Sequence, residues 1–306
     1  MLTEGELMTE TQPRFGRLIT AMVTPFDESR ELDLNRAQEL ADRLIAGGTD
    51  SIIVNGTTGE CPTVFYPNKI ELFKAVVSAV DGRVPVIANV GDNCTADSVD
   101  FAKDVQKLGV DGFMTVVPYY NKPPQEGMYQ HFASIASAVD LPIILYNIPG
   151  RCVVNMEAAT TLRLANDFEN IVAVKEASGK LDQVEAIAKD APSGFSIYSG
   201  DDSLTLDVMA RGGVGVISTI SNVATARMKE IVELYANGEV EKAYKANEAL
   251  LPLMNGLFET SNPILVKEAL KLSGFPVGGV RLPLVDATEE QSARLAQIMR
   301  ETGVLE

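Results

Sequence analysis

Four apolar residues of strand type, Ile171-Val172-Ala173-Val174, run directly into Lys175. A strand buried on both faces reads as a continuous Val/Ile-rich run, which puts this amine at the strand's carboxyl end, where a barrel or sheet opens. Desolvation there disfavours the ammonium form, lowers the pKa and leaves a fraction of free amine able to attack a carbonyl carbon and form a Schiff base. A lysine that merely snorkels to water would leave the same local pattern, and the strand alone leaves both open.

Other strand-type runs end in groups that could serve such an amine. Ser51-Ile52-Ile53-Val54 leads to Asn55-Gly56-Thr57-Thr58-Gly59-Glu60, where the glycines admit close backbone approach and the two hydroxyls donate and accept, a cradle for a small carboxylate. Taken alone, Thr57 to Glu60 reads more simply as a turn with a helix cap. Gly112 to Val117 leads to Pro118-Tyr119-Tyr120-Asn121-Lys122-Pro123-Pro124, a proline-bounded loop with two phenols. Ile143-Ile144-Leu145-Tyr146 leads to Asn147-Ile148-Pro149-Gly150-Arg151, a phenol that can shuttle protons and a guanidinium that can hold a carboxylate. Tyrosines at strand ends are also ordinary amphipathic packing. Hydroxyls at three strand ends beside the lysine's strand favour a shared site.

Ser199-Gly200-Asp201-Asp202 carries acids where a phosphate-binding barrel would show glycine amides, which argues against a phosphorylated substrate. Asp201 or Asp202 reads as the cap of a helix beginning near Ser203. His131, the single histidine, falls in a helical stretch and reads as structural, while Cys61, Cys94 and Cys152 lack ligand spacing. No metal and no other cofactor is expected. An enolate would then be stabilised through a protonated imine on a lysine.

The elements that must position these groups are eight short β-type runs, at 18–23, 51–54, 86–88, 112–117, 143–146, 172–175, 196–199 and 214–218. Helical spacing lies between them, as in Ile70, Phe73, Val76, Val77 and Val80 after Pro67-Asn68, and Gly212-Gly213 reads as a turn before the last run. Parallel strands need crossover helices, so the alternation predicts a closed (β/α)8 TIM barrel. No Gly-x-Gly-x-x-Gly follows the first run, which weakens a dinucleotide-binding sheet. Beyond Ser218 helical spacing continues past what the eighth unit needs. We expect a flexible segment at 1–15, a barrel at 16–236 and a C-terminal helical extension at 237–306.

A net charge of −16 and a pI near 4.6, with no basic stripe, exclude nucleic acid and anionic membrane surfaces as partners. No uninterrupted apolar window of about eighteen residues exists. Glu4, Glu6 and Glu10 do not fit a secretory or transit signal, and three scattered cysteines suit a reducing compartment, so a cytoplasmic location is expected.

Together the motifs resemble the dihydrodipicolinate synthase and N-acetylneuraminate lyase family of pyruvate-dependent class I aldolases. The resemblance rests on Ala21-Met22-Val23-Thr24-Pro25-Phe26, Gly56-Thr57-Thr58-Gly59-Glu60, Tyr146-Asn147-Ile148-Pro149, Val174-Lys175-Glu176-Ala177-Ser178-Gly179 and Asn262-Pro263. It implies an imine between Lys175 and pyruvate, with Tyr146 relaying protons through the Thr57 hydroxyl to Tyr120 of a neighbouring subunit. It also implies that Thr57 and Thr58 hold the pyruvate carboxylate and that the Gly200 and Ile217 carbonyls shape the site. Pro118-Tyr119-Tyr120 and Arg151 resemble the synthase branch, where Arg151 would bind the carboxylate of L-aspartate-4-semialdehyde. The alternative within the family is an aldolase acting on a sialic or 2-keto-3-deoxy sugar acid. A homotetramer, a dimer of dimers, is implied. Cys61, Pro62, Tyr66, Lys69, Asn93, Asp97 and Tyr119 align with the family's allosteric lysine pocket. Tyr66 and Lys69 stand where lysine-inhibited members place histidine, so weak or absent lysine sensitivity is expected.

Overall fold

The structure, a computed structural model, describes residues 13–305. Eight parallel strands close into a barrel in chain order, with β8 returning to β1. The strands are β1 (Leu18–Ala21), β2 (Ser51–Val54), β3 (Val86–Asn89), β4 (Gly112–Val116), β5 (Ile143–Asn147), β6 (Ile171–Glu176), β7 (Ser196–Ser199) and β8 (Gly215–Ser218). All eight fall on the runs predicted from sequence. Between them lie α1 (Leu34–Ala46), α2 (Tyr66–Val80), α3 (Thr95–Val105), α4 (Gln125–Ala136), α5 (Pro149–Cys152), α6 (Ala158–Asp167), α7 (Leu181–Asp190) and α8 (Thr205–Met209). After β8 come α9 (Ser221–Ala236), α10 (Val240–Gly256), α11 (Ile264–Leu272) and α12 (Glu289–Glu301).

Local chemistry sets the helix starts. Asp33 accepts from the Arg36 amide at α1, Pro67 sits in the first turn of α2, and Thr288 and Gln291 form a reciprocal capping box at α12. Where β8 meets β1, a Cβ on Gly215 would stand 2.0 Å from the Arg17 carbonyl oxygen, so only glycine lets these strands close the ring.

Strand alternation sorts the core into two parts. Inside the barrel are Ile19, Ile53, Ile87, Met114, Ile144, Tyr146, Ala173, Tyr198 and Ile217, while Leu145, Val174 and Val216 pack outward against the helices. Phe15 belongs to the inner cluster and closes the end where the strands begin, its ring against Gly112, while the Tyr198 hydroxyl donates to the Gly16 carbonyl at 2.8 Å. The expected flexible segment 1–15 lies mostly outside the described residues, and Phe15 at its end is buried. Helices α10 and α11 pack on α9, and α12 packs on α10 and α11.

Candidate active site

Lys175 lies on the inward face of β6, and the strand register pairs it with Tyr146 on β5 and Tyr198 on β7. Its Nζ sits 4.3 Å from the centroid of the Tyr146 ring. Burial drags the ammonium from its ordinary 10.5 down to about 8; the Asp202 charge opposes this and the Arg151 charge adds to it. The Tyr146 phenol is pushed up to about 12 by burial, against a hydrogen bond with the Thr57 side chain and the Arg151 charge. Near neutral pH the barrel mouth therefore holds a partly neutral amine beside a protonated phenol, a nucleophile with an adjacent proton carrier.

Behind these groups runs the loop from Asn55 to Glu60. Thr57 is half-buried, whereas Thr58 is buried, accepts from Asn262 Nδ2 at 2.9 Å and has its Oγ1 3.4 Å from that of Thr219. Of the simpler sequence reading, a turn with a helix cap, the turn is present, with the Glu60 amide donating to the Thr57 carbonyl at 3.0 Å, but the cap is corrected: α2 starts only at Tyr66, and its N-cap, Phe65, has no side-chain cap bond. The loop's polar atoms reach instead to the segments just after β1 and β8 and to the C-terminal extension.

The acid pair after β7 divides its labour. Asp201 caps the short turn that follows, accepting from the Ser203 amide at 2.9 Å, as the sequence predicts. Asp202 is buried and accepts from the Thr219 and Ile220 amides, both at 3.0 Å. Burial raises its pKa, against hydrogen bonds from Ser218, Ile220 and Thr219. Its role in fixing the backbone after β8 was not legible, since its partners lie far along the chain.

A second buried network fixes the ends of β5 and β6 from outside the barrel. Glu176, next to Lys175, accepts from Asn147 Nδ2 at 3.0 Å, from Gln183 Nε2 at 2.8 Å and from the Ser178 amide at 2.8 Å. Asn147, next to Tyr146, also donates to Asn155 at 2.9 Å. These polar residues take the outward positions that sequence alternation assigns to core, and they lock the inward pair in place.

Of the remaining predicted residues, Arg151 lies on α5, exposed, with its charge felt at both Lys175 and Tyr146. Gly200 sits against β6, where its amide donates to the Glu176 carbonyl at 2.8 Å, and Ile217 lines the barrel interior. Tyr120 is the exception. It is 87% exposed, in a left-handed conformation with φ +73°, and is not brought to Tyr146 within this chain.

Among the predicted effector residues, Tyr119 and Asn93 meet around Asp92. Tyr119 donates to Asp92 Oδ2 at 3.3 Å, and Asn93 donates to the Tyr119 carbonyl at 3.1 Å. Burial pushes the Cys61 thiol up to about 11, opposed by the Lys69 charge and reinforced by that of Asp92. Tyr66 turns to α3, donating to Asp104 at 2.5 Å, and Lys69 lies over the Phe101 ring at 5.6 Å. Pro62 and Asp97 are exposed. Among the described residues no group of three His, Cys, Asp or Glu side chains could hold a metal ion, and no helix is long and apolar enough to cross a membrane.

A closed barrel with a desolvated amine inside its open mouth, beside a phenol, defines a lysine-dependent (β/α)8 lyase of the aldolase type. The chain belongs to the dihydrodipicolinate synthetase family, whose model matches residues 14–302. A 4-hydroxy-tetrahydrodipicolinate synthase of Moorella thermoacetica is 53% identical over 292 residues, covering 95% of this chain and all of that protein. A dihydrodipicolinate synthase from Bacillus anthracis superposes with a TM-score of 0.92 at 45% identity, covering 94% of this chain and 99% of that one. One from Cyanidioschyzon merolae, solved with lysine bound, gives a TM-score of 0.94 at 45% identity, covering 96% of this chain and 100% of that one.

Proposed function

We propose that this chain condenses pyruvate with L-aspartate-4-semialdehyde to give 4-hydroxytetrahydrodipicolinate, a step in lysine and diaminopimelate biosynthesis. The single observation that carries the chemistry is the buried Lys175 amine, held near a pKa of 8 beside Tyr146. The names of the relatives support the choice of substrates.

The free amine of Lys175 attacks the keto carbon of pyruvate, and loss of water leaves a protonated imine. That imine draws electrons from the adjacent methyl, which gives up a proton to become the nucleophilic enamine carbon. Tyr146, linked to Thr57, carries protons to and from this centre. Thr57 and Thr58 hold the pyruvate carboxylate, and the carbonyls of Gly200 and Ile217 border the site. The enamine attacks the aldehyde of the second substrate, whose carboxylate Arg151 binds. Its amine then displaces Lys175 by transimination, closing the ring and regenerating the enzyme.

Tyr120, 87% exposed and with no hydrogen bond to Tyr146 in its own chain, completes the relay of a neighbouring subunit in a homotetramer built as a dimer of dimers. Borohydride reduction in the presence of pyruvate, followed by intact-mass analysis, tests the imine. Wild-type protein gains the mass of a reduced pyruvate adduct and Lys175→Ala does not; an adduct retained by the variant moves the nucleophile elsewhere. Pyruvate-dependent consumption of L-aspartate-4-semialdehyde tests the reaction, and cleavage of a sugar acid without that condensation would contradict it.

A further inference from the structure

Glu60 closes the Thr57–Thr58 loop, yet its carboxylate points away from the barrel mouth into the protein. Its Oε1 lies 2.6 Å from Nζ of Lys267 on α11, and the two side chains are 1% and 2% exposed. Its Oε2 accepts from the Arg281 amide at 2.9 Å. Lys267 in turn donates to the Gly279 carbonyl at 2.8 Å and stands 4.1 Å over the Phe26 ring, whose centroid is also 4.3 Å from the Arg281 guanidinium carbon.

Such a pair is a poor way to gain stability. Removing both charges from water costs several kcal/mol, and hydrophobic residues of the same volume often serve as well or better. Burial outweighs the charge and hydrogen bond of Glu60, so that Lys267 is still drawn down from 10.5 to about 8. What the pair does provide is a fixed geometry. Glu60 adopts φ +55°, a left-handed conformation that non-glycine residues keep only when their surroundings hold them. The rest of the loop is tied at Gly59, whose carbonyl accepts from Thr24 Oγ1 at 2.6 Å, and at Thr58, bonded to Asn262 two residues before α11. Two of the loop's ties, through Glu60 and through Thr58, thus end on the C-terminal extension.

We propose that the buried Glu60–Lys267 pair is a positioning element that sets the Thr57–Thr58 loop for the substrate carboxylate, so that the helical extension tunes which keto compounds the site accepts. This rests on the function proposed above, in which that loop holds the carboxylate of pyruvate. Displacing recognition groups by about an ångström can cost on the order of a hundredfold in rate, so the effect of losing the pair falls on carboxylate recognition and leaves the Lys175 amine reactive.

The test compares borohydride trapping of pyruvate with that of methyl pyruvate, which offers the same ketone without the carboxylate charge. In wild-type protein pyruvate is trapped at lower concentration than the ester. Glu60→Gln should lower this preference by about tenfold or more, through a higher half-saturating pyruvate concentration, with trapping of the ester changed little. Because a single substitution leaves one buried charge unpaired, the neutral double variant Glu60→Gln/Lys267→Met is measured alongside it and suffices if the single variant does not fold. The double variant should regain thermal stability without regaining the preference. Unchanged preference in either folded variant, or loss of pyruvate and ester trapping in parallel, overturns the positioning role. A wild-type protein that traps neither compound overturns the proposed function itself.

Discussion

Replacing Lys175 by methionine should remove the chemistry and at the same time make the protein more stable. The folded state holds this amine at about 8, against 10.5 when unperturbed, mainly by desolvation. At about 1.4 kcal/mol per pH unit, keeping it protonated in the folded protein costs about 3 kcal/mol. The sign follows from proton counting. Below about pH 8 the lysine is charged in both states and the full cost applies; between about 8 and 10.5 the unfolded chain binds more protons than the folded one, so rising pH relieves the cost. Lys175→Met, which fills most of the same space without a charge, should therefore exceed wild type by about 3 kcal/mol near pH 7, and the gap should shrink towards zero by about pH 10. Urea unfolding at matched protein concentration measures this, since an oligomer's apparent stability depends on concentration. A variant no more stable than wild type near neutral pH, or a gap that does not change with pH, would refute a desolvated amine at this position.

The rate of pyruvate trapping should rise with pH and level off above about 8, because only the neutral amine attacks, and a midpoint near 10.5 would contradict the environment described. Arg151→Ala removes a charge that pushes Lys175 down, so this midpoint should move to higher pH while trapping persists and use of the aldehyde weakens; equal loss of both activities counts against its assigned role. Gly200→Ala should lower kcat about tenfold or more, because its Cβ would lie 2.5 Å from that of Ala177 and 3.2 Å from the Glu176 carbonyl, forcing β7 away from the lysine strand. Turnover followed against rising lysine should fall little; strong inhibition at sub-millimolar lysine contradicts the expectation drawn from Tyr66 and Lys69.

The barrel was legible because its strands are buried on both faces and so read as uninterrupted apolar runs, interrupted by helical spacing of the right length. Lys175 and Tyr146 stood out as polar residues closing such runs. What escaped were partners joined only by folding. Asp202 looked like a cap, as its neighbour Asp201 is, until Thr219 and Ile220 came to its carboxylate from the segment after β8. Glu60 could be placed in its motif, but nothing in the sequence ties it to Lys267, two hundred residues away. The network of Asn147, Glu176, Asn155 and Gln183 was hidden because alternation assigns outward strand positions to apolar packing, and here hydrogen bonds satisfy polar residues instead. Nor does a tyrosine's type reveal whether its hydroxyl serves its own chain, and Tyr120 left that question to the fold.

Phe15 and the hydroxyl of Tyr198 plug the end of the barrel where the strands begin, while Lys175 lies at the other end, where they finish. In the reaction proposed above, both substrates would therefore meet the amine from that open end. On that mechanism the compound joined to the lysine arrives first and its partner second, so an early occupant near the rim should delay turnover simply by standing in the way.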